Sequence, residues 1–528
     1  MSAFLIWAGF APFAARRLLT YLHLFQQEEY DNGRFLAWLG RERTFDRRLS
    51  LALIVLGILQ WVAAPAGLPW LFPVLAGLAC LAAAALETDP RKHAKKRLAM
   101  TARAKRIYGI ALGLLLVVGL AVAAATDWIL PWLIPVQLTP LALVAANLIL
   151  APFETRVQRR YWAEAHDKLG RLRPTVIGIT GSYGKTSVKH ILGHVLESAA
   201  PTLITPGSVN TAMGIARIVR ERLAPHHRFF VVEMGAYGIG SIRRLCELTP
   251  PDLGIITAIG KAHYERFKSL EGVATAKFEL AQAALEKGGK SIVAADTLAF
   301  PASRQFAASH PEAVVTVGDD PNAAAVITRL AQDTDGVALS VTWRGGEYEL
   351  RAPLYGLHQG PNVALAFAAA CTLGMAPEDV VASLRSVPQI AHRLEVKRQG
   401  GAVLIDDAYN SNPVGFASAL GLLDVLRQPG GRRILVTPGM VELGAEHDAE
   451  HARIGRIAAD HVDVLLAVAP HRVAALSEAF RAAAPTADLI PCGTFAEAQA
   501  WLDRNLAPSD AVLIENDLPD LYERPLRL

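Results

Sequence analysis

The segment Gly178-Ile-Thr-Gly-Ser-Tyr-Gly-Lys-Thr-Ser187 carries the plainest chemistry in this chain. A β-branched run precedes it and a helical pattern follows. Glycines there let backbone N–H groups approach phosphate oxygens, and a helix N-terminus favours the anion. Gly181, Ser182, Tyr183 and Gly184 would form the cradle. Lys185 would reach the β- and γ-phosphates, and the Thr186 hydroxyl, with Ser187 beside it, would meet Mg²⁺. The spacing departs from the general phosphate loop, because the position five before Gly184 is Ile179 and not glycine. ATP and Mg²⁺ are therefore the expected cofactors.

Such a loop must be held by a strand and a helix, and the surrounding sequence supplies both. After Arg173 short β-branched runs (Thr175–Thr180, Phe229–Val232, Gly254–Thr257, Ser291–Ala294) alternate with helical stretches. That alternation implies parallel strands joined by crossover helices. A second α/β unit begins near residue 393, with strands expected at Ala402–Ile405, Arg433–Thr437, Val464–Val468 and Ala511–Ile514. Ser386–Ile390 reads as the joint.

Further blocks follow in order, and with the loop they resemble the Mur ligase family. Asn210-Thr-Ala-Met-Gly214, Val231-Val-Glu-Met-Gly235, Thr257-Ala-Ile-Gly-Lys-Ala-His263, Ser269-Leu-Glu-Gly272 and Ala276-Lys277 match its central domain. So does Gly356-Leu-His-Gln-Gly-Pro-Asn362. Arg393-Leu-Glu395, Ile405-Asp-Asp-Ala-Tyr-Asn-Ser-Asn-Pro413 and Met440-Val-Glu-Leu-Gly444 match the start of its third domain. The blocks resemble most those of the enzymes that add D-alanyl-D-alanine to a muramoyl tripeptide, and they run from about residue 172 to about 460.

The resemblance implies an ATP-dependent ligase that activates a carboxylate as an acyl phosphate and joins it to an amine. It implies Glu233 and His263 as metal ligands and Lys277 as a carbamylated lysine. With Lys185 and Thr186 these form the expected catalytic and metal set. Asn210, His358 and Asn362 join the nucleotide side, and Arg393 and Asp407 would meet ATP from the third domain. Carbamylation would turn Lys277 from an ammonium, which cannot bind a cation, into an oxygen donor of the kind Mg²⁺ prefers. Taken alone, Lys277 reads as a solvated helix lysine.

The sequence departs from the family in several places. The block that holds a UDP sugar is missing. The family's Asn-Ala-Asp-Asp appears as Ala294-Ala-Asp-Thr297, and its Gly-Asp-Met as Pro438-Gly-Met440. Its Lys-Gly-Ser-Arg near the C-terminus is replaced by Glu515-Asn-Asp-Leu-Pro-Asp520. A basic patch has become an acidic one, so the ATP half looks intact and the substrate-facing ends altered.

In place of the missing block stands an apolar third. Of the 528 residues 52% are hydrophobic and only 19% charged, too apolar for an ordinary soluble enzyme. Leu49–Leu86, Ile107–Thr126 and Trp128–Phe153 carry no charge, and a single span needs roughly 20 residues. Two helical hairpins are expected, hence four spans, with residues 1–15 as a fifth span or an interfacial helix. Arg16 and Arg17 follow that stretch instead of preceding it, which argues against a cleaved signal peptide. The loop 88–106 holds eight basic residues and the two tight turns hold none. This places the loop and everything after residue 155 in the cytoplasm of a bacterium, with the chain multi-pass in its inner membrane. The loop's basic residues serve topogenesis or contact anionic lipid headgroups.

The domain boundaries that follow are 1–155 for a membrane domain, 172–388 for an ATP-binding α/β domain and 389–528 for a Rossmann-like C-terminal domain. The net charge of +4 gives no footprint for nucleic acid. Cys80, Cys246, Cys371 and Cys492 lie far apart with no CxxC, which fits a reduced compartment and argues against a disulfide framework or a thiolate metal site. The expected substrates are a small-molecule or lipid-linked carboxylate and an amine, an amino acid or dipeptide, with membrane lipids as surroundings. A polyglutamate-type polymerising ligase and a non-catalytic scaffold subunit are the competing readings. Retention of Lys185, Glu233, His263 and Lys277 disfavours the scaffold.

Overall fold

The computed structural model describes residues 3–28, 30–42, 46–64, 70–93, 97–260, 267, 269–408, 411–441, 443 and 446–516. The chain divides into two compact units. The first covers residues 1–158 and the second 159–517.

The first unit is helical: α1 (Ala3–Gln27), α2 (Asn32–Glu42), α3 (Arg48–Ala63), α4 (Leu71–Leu86), α5 (Ala102–Ala125) and the start of α6 (Leu133–Leu172). Residues 3–15 are not a separate short helix. They form the N-terminal part of α1, which packs on α4 and α5 and buries Ala3, Ile6, Phe10, Phe13 and Ala14 completely or nearly so. Glycines allow this approach: a Cβ added at Gly77 would lie 2.6 Å from the Leu5 carbonyl oxygen. Small residues at such crossings are what close packing of apolar helices requires. Arg17, which interrupts the apolar run, is buried between Asp46 and Glu87 at 3.0 and 3.2 Å. Among the described residues three helices are long and apolar enough to cross a membrane: Leu71–Lys92, Ala102–Ala125 and Leu130–Leu172. The four expected spans thus become three by length, because α3 has only 16 residues. The expected turn at 65–69 lies outside the described residues.

The second unit holds two sheets. The larger has nine strands: β1 (Thr175–Thr180), β2 (Thr202–Ile204), β3 (Phe229–Glu233), β4 (Leu253–Ile256), β5 (Lys290–Ala294), β6 (Val314–Gly318), β7 (Ala325–Asp333), β8 (Gly336–Trp343) and β9 (Gly346–Ala352). Their order is β2-β3-β1-β4-β5-β6-β7-β8-β9. Strands up to β7 pair in parallel, and β7, β8 and β9 form an antiparallel meander. The helices that matter for the site are α7 (Lys185–Glu197), α8 (Leu270–Glu286) and α9 (Gln359–Thr372). Both faces of β1 are covered. Ile177 and Ile179 join α7 and α9 in one core, whereas Val176 packs with Phe230 and Leu280 in another. The near-continuous apolar run of β1 is the signature of a parallel strand buried on both sides.

The smaller sheet has six strands: β10 (Glu395–Gln399), β11 (Ala402–Asp407), β12 (Arg433–Thr437), β13 (Val464–Val468), β14 (Asp488–Cys492) and β15 (Ala511–Glu515). Their order, β10-β11-β15-β12-β13-β14, inserts the last strand between β11 and β12. Helix α10 (Pro413–Leu426) covers one face.

Candidate active site

The register of the larger sheet sets the site. Ile179 lies beside Glu233, and Thr180 beside Ile256. The segments leaving β1, β3 and β4 therefore emerge at one edge, at the carboxyl ends of parallel strands, where open α/β sheets bind ligands.

The loop 181–184 follows β1 and is pinned on both sides. The Ser182 N–H donates to the Ala258 carbonyl at 2.8 Å, and the Ser182 hydroxyl exchanges hydrogen bonds with Gly260 at 2.9 and 3.0 Å. The Thr257 hydroxyl donates to the Tyr183 carbonyl. Gly184 caps α7 at φ +79°, the left-handed region that favours glycine, with the Asn362 side chain packed where a Cβ would go. Lys185 begins α7, and its ammonium donates to the Gly181 carbonyl at 2.7 Å. Ser187 is buried in the first turn.

Glu233 ends β3 and is 1% exposed. Its Oε2 accepts from the Thr186 hydroxyl and from Lys189 Nζ, each at 2.9 Å, and its Oε1 accepts from Asn210 Nδ2 at 3.2 Å. Burial pushes the Glu233 carboxyl up. Lys189 and Lys185, with the hydrogen bonds from Lys189 and Thr186, more than offset it and hold the group below its ordinary value. It is an ionised carboxylate at a strand end.

Lys277 projects from α8 and is 4% exposed. It lines one small cleft together with Gly181, Ser182, Lys185, Asn210 and Gly235. Burial, and secondarily the Lys185 charge, hold its amine well below the ordinary lysine value. It is a buried side chain and not the solvated one its sequence context implied.

The N-terminal turn of α9 brings His358 and Asn362. Asn362 Nδ2 donates to the His358 carbonyl and to Gln359 Oε1 at 3.2 and 3.0 Å. His358 Nδ1 lies 3.2 Å from the Ser418 hydroxyl on α10. Burial, with Arg393 nearby, pushes the His358 ring down to about 4, so it is neutral.

Just ahead of β10, Arg393 Nη2 donates to the Thr186 hydroxyl at 3.3 Å. Asp407, at the end of β11, accepts from the Leu394 N–H at 3.2 Å. It is the lateral partner of Glu515 in β15. Burial holds Asp407 up at about 6, and burial beside Asp407 holds Glu515 higher. The Ser411 hydroxyl donates to Glu515 Oε1 at 2.5 Å.

Thus Gly181, Ser182, Tyr183, Gly184, Lys185, Thr186, Asn210, Glu233, Lys277, Asn362 and Arg393 converge on one edge. His358 packs behind them against α10, and Asp407 sits with Glu515 in the third domain. His263 lies outside the described residues. Lys189 was not anticipated, since a lysine four after Lys185 reads as a solvated helix position. What could have exposed it is its place among Val188, Ile191 and Leu192, all fully buried.

Comparison with known proteins follows the same outline. Residues 179–370 match the Mur ligase middle domain, and residues 392–515 the Mur ligase glutamate ligase domain. Over 382 residues the chain is 33% identical to the UDP-N-acetylmuramoyl-tripeptide–D-alanyl-D-alanine ligase of Mycobacterium tuberculosis, covering 65% of this chain and 70% of that protein. This chain belongs to the Mur ligase family. The Escherichia coli enzyme of the same name is 31% identical over 301 residues, covering 56% of this chain and 64% of that protein. A crystal structure of MurF from Acinetobacter baumannii superposes with a TM-score of 0.59 at 26% identity, covering 68% of this chain and 77% of that one.

As a Mur ligase the chain is an ATP-dependent ligase that forms a C–N bond, with ATP and Mg²⁺ as cofactors. The residues present suit both. Backbone N–H groups and Lys185 face the place for phosphate, and Thr186 and Glu233 offer hard oxygen donors. Lys277 suits a cation only after its amine becomes an oxygen donor.

Proposed function

We propose that this Mur ligase is anchored in the bacterial inner membrane and joins a carboxylate to an amine in the synthesis of peptidoglycan or another envelope precursor. The observation that carries the reading is the convergence of the phosphate loop, Glu233, Lys277 and Arg393 on one cleft. The carboxylate attacks the γ-phosphorus of ATP and ADP leaves. The amine then attacks the acyl carbon and phosphate leaves, giving the amide. Phosphoryl transfer of this kind depends on positioning and charge neutralisation. Lys185, its ammonium aimed along the loop, and Arg393, reaching in from the third domain, supply positive charge. Thr186 and Glu233 would hold Mg²⁺, whose double charge offsets that of the phosphates. Burial disfavours the charged form of Lys277; an uncharged amine is the form that adds carbon dioxide, and the resulting carbamate anion would gain from the Lys185 charge.

The relatives named for D-alanyl-D-alanine addition make that dipeptide the first amine to test. The helical unit supports a lipid-linked carboxylate, since apolar helices stand where other family members hold a soluble nucleotide sugar. The test measures phosphate release by the detergent-solubilised full chain, with D-alanyl-D-alanine and either a UDP-linked or a lipid-linked muramoyl tripeptide. The expected result is release that needs both substrates and is faster with the lipid-linked one. Equal or better turnover of the UDP-linked substrate would reduce the helices to a tether. No release with any carboxylate–amine pair would overturn the ligase reading.

A further inference from the structure

Among the described residues behind the phosphate loop, Lys189 is a charged group that the sequence did not single out. Its ammonium is completely buried, 2.9 Å from Glu233 Oε2, and it also donates to the Gly207 carbonyl. A lysine is almost never fully buried unless paired, and here both partners are specific acceptors. The Glu233 oxygen that Lys189 occupies also takes the Thr186 hydroxyl, so it belongs to the two residues that would hold a cation. Removing one partner of a buried ion pair leaves an uncompensated charge, so the pair restricts how Glu233 can be used.

We propose that Lys189 is a positioning residue: its charge neutralises Glu233 and fixes its rotamer while the site is without nucleotide, so that Mg²⁺ enters only together with nucleotide phosphate. The proposal rests on the reading of Glu233 as a cation ligand. Glu233 and Lys189 alone sum to zero charge and attract a dication weakly. Nucleotide phosphates would add several negative charges at the loop, and Glu233 and Thr186 would then hold the dication while Lys189 keeps its hydrogen bond to Glu233. The buried carboxylate is thus supported in both states and never left bare. Lys185 does not perform this task, because its ammonium is directed to the Gly181 and Ser182 carbonyls and not to Glu233.

The test uses Mn²⁺ as probe on the detergent-solubilised full chain, with binding read from the free-ion paramagnetic resonance signal in the absence of nucleotide. Lys189→Met, similar in length but uncharged, should bind Mn²⁺ at least tenfold tighter than the parent. A lysine with a merely structural role would leave the affinity unchanged or lower it, and either result overturns the proposal. The parent supplies a second measurement that needs no variant. Mg²⁺ alone should leave its melting temperature unmoved, whereas Mg²⁺ with ADP should raise it. Stabilisation of the parent by Mg²⁺ alone to the same extent overturns the proposal. Glu233→Gln separates the two layers. If it keeps the Mg²⁺-dependent part of the ADP stabilisation, Glu233 is no cation ligand and both readings fall. If it loses that part while Lys189→Met binds Mn²⁺ like the parent, the assignment of Lys189 alone falls.

Discussion

Lys277 and Glu515 show how far residue identity departs from residue state. In sequence Lys277 is one lysine on an alanine-rich helix. In the fold it is buried in a small cleft with Lys185, and that burial holds its amine well below the ordinary lysine value. Lys277→Ala should lower ligation about 100-fold or more, the scale on which loss of one fixed charge-stabilising group acts. Added acetate or formate should restore part of the rate by returning an oxygen donor, as measured by phosphate release. A variant as fast as the parent would remove carbamylation from the account. Glu515 lies on the acidic stretch that replaces the family's basic patch, and the sheet order sets it beside Asp407. Only the insertion of β15 next to β11 creates this pair, so chain distance hid it. Both carboxyls are held above their ordinary values. The folded state therefore binds more protons than the unfolded state above about pH 4, and stability falls as pH rises through the raised titration of the pair. Glu515→Gln should thus melt higher than the parent at pH 8 and lose that advantage near pH 4. Equal melting curves at both pH values would contradict the shared burial of the pair.

At the scale of elements, the phosphate loop was legible because strand, glycine turn and helix each carry a local signal. β1, β12 and β13 occupy the expected ranges, because their β-branched runs end at turn residues. The meander β7–β9 was missed. Its exposed pattern does not alternate cleanly along β7, although Asp335-Gly336 and Gly345-Gly346 mark both turns. Gly184 ties the loop to α9. An alanine there would adopt a left-handed conformation costing roughly 1–2 kcal/mol, and its Cβ would displace Asn362. Gly184→Ala should weaken nucleotide binding about tenfold or more and lower the melting temperature by a few degrees, read by calorimetric titration with ADP and by thermal melting. Unchanged ADP affinity would show that the loop does not need this backbone shape.

At the scale of the molecule, the apolar third was plain in composition, but its internal arrangement was not. Sequence windows penalise Arg16 and Arg17, and so they split a helix whose interior charge is matched by Asp46 and Glu87. Leu51, Trp61, Val62, Leu86, Val117 and Leu148 point outward, an apolar girdle suited to lipid. If the unit spans the membrane as proposed, single cysteines at 92 and 199 should resist an impermeant reagent in intact cells, and one at 127 should react. All four native cysteines are buried, so background labelling is small. Reaction at 92 or 199 would sink the orientation. The bond from Arg393 to Thr186 reaches further than its length. With it made, the Thr186 hydroxyl that would hold the cation is engaged by both Arg393 and Glu233. If that bond has to break before ATP and Mg²⁺ seat, opening precedes binding and sets a ceiling on its speed. In a rapid-mixing experiment the observed rate of nucleotide association should level off at high ATP, whereas Arg393→Ala should keep rising in proportion to concentration.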